Sequence, residues 1–254
     1  MSGLFVTVRK ELLSYFCSPV SYVIAVLFYL IHGVMVSDLV LRFRVLRIDQ
    51  DLFASNCYGL GSTFFMVVLV PGILTMRCFA EERRSGSIEI LMTAPVRDWG
   101  VVLGKWLASV VFFALLWLPT VVLLWILTFD YFLGADLAFG PVFAGYLGLF
   151  LLSSMLLAFG CFASSLTDNL LLAAILSILF TLTFLQLPGF LRTRFASTDN
   201  LYVAQLLEKI DVLGNFNLWF ARGLIDTSQI WFYVGGTAFF LYLTTLSFSA
   251  RRVA

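Results

Sequence analysis

Six apolar runs constrain this chain of 254 residues more than anything else in it. They lie at about 20–41, 58–79, 100–128, 140–165, 169–189 and 229–249. A helix that spans a bilayer takes about 20 largely apolar residues, and each run meets that length. Inside hydrocarbon a segment must satisfy its own backbone, which a helix does. Composition agrees: 61% of the residues are hydrophobic and 12% charged, where a soluble domain carries about 25% charge. The chain is therefore expected to be an all-α polytopic membrane protein with six transmembrane helices. The third and fourth runs are long enough to tilt or to project from the bilayer. Only 165–169 separates the fourth from the fifth, which makes a tight helical hairpin. The net charge of +1 gives no argument for a nucleic-acid partner.

Residues 4–16 are amphipathic rather than spanning. Phe5, Val8, Leu12 and Phe16 share one face, and Thr7, Lys10, Glu11 and Ser14 another. This pattern predicts an interfacial helix in the headgroup plane, ended by Ser18-Pro19. The N-terminus has no short apolar region ending in small residues, so no cleavable signal is expected. Six spans place both termini on one side. With that side cytosolic, nine Lys and Arg lie inside and seven outside, and the net charges are +3 and −2. The bias favours cytosolic termini, although Arg42, Arg44 and Arg47 oppose it. On the outer side, 200–224 is expected to form two short amphipathic helices dipping toward lipid. Val203, Leu206, Leu207 and Ile210 share one face, with Gly214 at the end, and Phe216, Trp219, Phe220 and Leu224 repeat the pattern. Asp226-Thr227-Ser228 caps the last span.

The residues argue against several chemistries. No glycine-rich loop ends in Lys-Ser or Lys-Thr, so no nucleotide site is expected, and Gly104-Lys105 lies inside an apolar helix. Lys105 is expected to snorkel to the inner interface. His32, the one histidine, is expected to hydrogen-bond a neighbouring helix, and Asp168 to cap a turn. No span pairs carboxylates, which disfavours a proton-coupled carrier or an intramembrane protease. Cys17, Cys57, Cys78 and Cys161 are scattered, and only Cys57 approaches the outer face. No metal knuckle and no intrachain disulfide are expected.

One charged island remains, between the second and third runs, from Glu81-Glu82-Arg83-Arg84 through Ser85-Gly86-Ser87 to Ile88-Glu89-Ile90-Leu91-Met92-Thr93-Ala94-Pro95-Val96. Ile88, Leu91, Met92 and Pro95 fall at i, i+3, i+4 and i+7, one helical face. Ser87 suits an N-cap, and Pro95 cannot continue a helix. Glu81 to Arg84 read as a solvated charge cluster in front of it. This predicts a short amphipathic helix, over about 81–95, that a soluble partner could grip.

An interfacial helix running from Arg9-Lys10-Glu11 to Ser18-Pro19, six spans, and an island after the second span that leads through Pro95 and Trp99 to Leu103-Gly104-Lys105 together resemble the permease subunits of ABC-2-type transporters. Within them the gliding-motility type is the closest, and Ala221-Arg222-Gly223-Leu224-Ile225-Asp226 also resembles a stretch common there. The resemblance covers nearly the whole chain as one transmembrane domain. It implies a multi-pass protein of the cell (inner) membrane that exports or extrudes a substrate. A second permease, identical or related, would pair with it. A separate ATP-binding subunit would use ATP and Mg, while this chain would bind no cofactor and catalyse nothing itself. The island would be the coupling helix, with Glu81, Glu82, Arg83, Arg84 and Glu89 as polar contacts and Ile88, Leu91 and Met92 as apolar ones. Any soluble outer work would fall to a substrate-binding or accessory chain. The alternative function is a membrane mechanotransmitter or scaffold, relaying ATPase motion to an outer partner through 200–225 without moving a solute.

Overall fold

The computed structural model describes residues 2–46, 60–86, 98–127, 139–195 and 209–252. All regular structure among them is helical: α1 (Ser2–Cys17), α2 (Pro19–Leu46), α3 (Leu60–Thr75), α4 (Arg77–Arg84), α5 (Asp98–Leu127), α6 (Phe139–Leu166), α7 (Leu170–Phe195), α8 (Val212–Leu218), a 3₁₀ turn (Phe220–Arg222) and α9 (Thr227–Arg252). Six stretches are long and apolar enough to cross a membrane, with α3 and α4 together making the second. The all-α, six-span architecture expected from the apolar runs is what the chain adopts.

Pro19 opens α2 at the position where a missing N–H costs nothing, so α1 and α2 meet at one sharp boundary. α1 then lies against α5, where Thr7 faces Gly104 and Tyr15 stacks on Phe112 at 5.3 Å. This differs from a helix whose polar face looks only at headgroups. Thr7 and Glu11, from that face, turn toward protein, while Phe5 is left exposed.

The second span is interrupted at Met76. Pro71 removes one backbone donor from its ladder, and the Thr75 hydroxyl donates to the Pro71 carbonyl at 2.7 Å, a contact that bends helices. Polar backbone freed in an apolar bundle needs new partners. The Ser164 hydroxyl of α6 donates to the Met76 carbonyl at 3.0 Å and accepts from the Phe79 and Ala80 amides, each at 3.1 Å. Tyr15 Oη donates to the Leu74 carbonyl at 3.3 Å. The break is thus closed by side chains of α1 and α6.

At the opposite end of the bundle α8 starts from Asp211, whose carboxylate accepts from the Gly214 amide at 3.0 Å and meets Arg192 of α7 at 3.4 Å. Gly214 is therefore in the first turn of a helix, not at the end of one. The Phe216 and Phe220 rings are fully buried and fill the space that Gly148 leaves open. They plug the bundle instead of dipping toward lipid, because a glycine on α6 offers a tighter fit than acyl chains do. Asp226 Oδ1 accepts from the Ser228 amide at 3.0 Å and starts α9 as the sequence suggests.

Close approach between α6 and the end of α3 depends on Gly160, where a Cβ would run into Thr75 Oγ1. Gly160→Ala should destabilise the fold by about 1–3 kcal/mol through overpacking. Thermal unfolding of the detergent-solubilised variant measures this, and an unchanged midpoint would show that the two helices separate freely.

Candidate functional site

Lys105 sits in the second turn of α5 with 2% of its side chain exposed, so a bare ammonium there would be costly. Two carboxylates compensate it. Glu11 Oε1 of α1 lies 2.8 Å from Nζ, and Glu82 Oε1 of α4 lies 2.9 Å away. Lys10 adds a second cation, 3.5 Å from the same Glu82 oxygen. Two lysines and two glutamates make a charge-neutral set drawn from three helices. The Phe79 ring, 5.3 Å from Nζ, supplies its negative face to the same cation. Lys105 therefore does not snorkel to the interface. Its ammonium is satisfied inside the protein, beneath α1, where Glu11 arrives from 94 residues away.

The island's leading charges divide by direction. Glu82 turns inward to Lys105. Arg83, 5% exposed, reaches Asp168 in the α6–α7 turn at 3.4 Å. Neither is part of a solvated cluster; both are held by the bundle, because the buried Lys105 ammonium and the Asp168 carboxylate lie within their reach. Glu81 and Arg84 face outward, and Glu81 meets Arg77 at 3.9 Å. Asp168 serves as Arg83's partner, while its neighbour Asn169 does the capping, its Oδ1 accepting from the Leu171 amide at 3.0 Å. Arg77 also donates to Ser18 Oγ at the α1–α2 junction.

A polar cavity of about 170 Å³ opens between α1, α4 and the start of α5, with Lys10, Glu11, Arg77, Glu82 and Lys105 in its walls. Tyr15 and Cys78 also line it. The Tyr15 hydroxyl is 3.4 Å from Cys78 Sγ. Burial, and then the charge Cys78 can carry, raise the Tyr15 pKa well above its ordinary value, so its hydroxyl remains a donor. Among the described residues no three metal-ligating side chains gather.

The other sequence-predicted residues fall as follows. Ile88, Glu89, Leu91 and Met92 lie outside the described residues, as does Leu206. Phe16 is half-exposed and edge-on to Phe112 at 5.7 Å. Ile210 and Trp219 are on the surface at the far end, and Phe220 is core. His32 stacks on Phe28 at 5.9 Å and meets Trp117 edge-on at 5.7 Å, so its ring packs among aromatics rather than serving as a polar link to another helix. Sequence reasoning missed Tyr15 and Ser164 as backbone partners. The one signal for the ion cluster was a lysine set inside an apolar run, which calls for a carboxylate from elsewhere.

Breaking this cluster from one side should be expensive. Lys105→Met leaves Glu11 and Glu82 facing each other in a partly buried site and should cost about 3–5 kcal/mol. Adding Glu11→Gln and Glu82→Gln to the same chain removes the uncompensated charge and should recover much of the loss. Unfolding midpoints of the single and triple variants test this, and equal losses would show that the charges do not act as one set.

A family model described as ABC-2 family transporter protein matches residues 49–220, more than half of the chain and all of the second, third, fourth and fifth spans. A comparison with curated proteins finds no match. With six spans, a charged end braced from three helices, and that match, the chain belongs to the ABC-2 family and is a multi-pass membrane permease of an ABC transporter.

Proposed function

We propose that the chain forms the membrane path of an ATP-driven exporter of the gliding-motility type, with both termini cytosolic in the cell (inner) membrane. An ATP-binding subunit docks on 81–95, uses ATP and Mg, and drives two paired permeases between access states. The observation that carries this reading is the Glu82–Lys105 ion pair at 2.9 Å. Glu82 precedes the 87–97 segment and Lys105 follows it, so the two ends of that connection are tied together and to α1. A force applied there by a soluble partner would be delivered to α3 and α5 as one unit rather than lost in a loop.

The inward bonds of Glu82 and Arg83 narrow the docking surface. Glu81, Arg84, Ile88, Glu89, Leu91 and Met92 are the groups left for the ATPase. Leu91→Asp is then the decisive variant. A charge forced into a desolvated contact costs on the order of several kcal/mol, and about 1.4 kcal/mol is tenfold in affinity.

Co-expressed ATP-binding subunit should co-purify with the wild-type chain and fall at least about tenfold with Leu91→Asp, at unchanged membrane level. The pure chain should hydrolyse no ATP, and the complex should hydrolyse it. Unaltered co-purification of the variant would dismiss 81–95 as the dock. Coupled hydrolysis without solute movement in vesicles would favour the force-relay role instead.

A further inference from the structure

Cys78 and Cys161 stand 83 residues apart in sequence and side by side in the fold, with 3.8 Å between their sulfurs. Cys78 is on α4, just past the break at Met76, and Cys161 is on α6. Both are buried free thiols. They differ in access. Cys78 lines the polar cavity between α1, α4 and α5, whereas Cys161 stands behind it. The cavity, about 170 Å³, has room for a molecule the size of a peroxide, since a water takes about 30 Å³.

We infer that Cys78 and Cys161 form a peroxide-sensitive thiol pair, Cys78 being the sulfur attacked first and Cys161 the one that resolves it. In the first step Cys78 loses its proton to water and its sulfur lone pair attacks one peroxide oxygen. The O–O bond breaks, a sulfenic acid forms on Cys78, and hydroxide leaves. In the second step that hydroxide takes the Cys161 proton and becomes water, the Cys161 sulfur attacks the Cys78 sulfur, the S–O bond breaks, and the departing hydroxide takes up the proton released in the first step to give the second water. Two thiols are oxidised to one disulfide, and one peroxide is reduced to two waters. A disulfide is about 2.0 Å long, so the sulfurs have only a short gap to close. A thiol reductant reverses the bond. Bridged, the foot of the second span is fixed to α6. The site stands on cavity and contact alone and does not depend on the docking role of 81–95.

The test uses the full chain in mild detergent, carrying Cys17→Ser and Cys57→Ser so that two thiols remain. It is treated with hydrogen peroxide, its residual thiols are alkylated, and it is digested for mass spectrometry. A Cys78–Cys161 linked peptide should become the main product in the folded chain, vanish on thiol reduction, and be scarce when the chain is denatured before oxidation. With Cys161→Ala added, a sulfenic-acid trap such as dimedone should label Cys78; with Cys78→Ala instead, Cys161 should stay unlabelled. Full alkylation of both thiols after peroxide in the folded chain overturns the pair. Preferential trapping at Cys161 overturns the assigned order.

Discussion

The buried ammonium of Lys105 organises the charged end of this protein. A chain with 12% charged residues and six spans can place most charges at helix ends, but Lys105 is a full turn inside α5. Desolvation there demands carboxylates, and the bundle has to bring them. Glu11 obliges α1 to lie across α5, and Glu82 obliges the last turns of the second span to fold back toward both. Without this set α1 would be held by its packing on α5 and by the Tyr15 hydroxyl, with no charge tying it to the foot of the second span. With it, α1 is a strut. Of its apolar residues, Val8 and Leu12 pack on the bundle while Phe5, Val6 and Leu13 stay exposed.

A second constraint follows from the same geometry. Bringing Glu82 to Lys105 is easier if the second span can change course, and the interruption at Met76 provides for that. Pro71 and Thr75 weaken the ladder from within. Ser164 and Tyr15 then satisfy the freed backbone from outside. Tyr15 belongs to the helix that the ion cluster positions, so the break and the cluster support each other. Gly160, one turn before Ser164, lets α6 come close enough for its hydroxyl to reach.

The spans were legible because length and apolarity are local properties, read within one window of sequence. The capping of α9 by Asp226 was legible for the same reason. What escaped the sequence is what depends on distant pairing. Lys105 looked like a snorkelling residue because Glu11 and Glu82 are invisible until helices are packed. Glu82 and Arg83 looked solvated beside Glu81 and Arg84, since a run of four charges carries no sign of which two turn inward. Phe216 and Phe220 had the right spacing for a lipid-facing helix, and only Gly148 on another helix explains their burial. The cysteines, scattered along the chain, gave no hint that two of them touch.

These contacts bear on how a permease of this family can carry motion. A loop between two spans transmits force poorly when its ends move independently. Here the stretch before 87–97 and the stretch after it are joined by Glu82–Lys105, and the first is joined again to the α6–α7 turn by Arg83–Asp168. The third span and the foot of the second are thereby braced against two further parts of the bundle. Above the brace lies the break at Met76, where backbone hydrogen bonds are replaced by side-chain ones from α1 and α6. With the foot braced below, the interrupted ladder sets a break within the second span, just above that brace. Displacement of the braced foot would then be taken up near Met76, where Thr75 and Gly160 touch and Cys78 meets Cys161, so the helix packing most sensitive to a push is the one between the second and fourth spans.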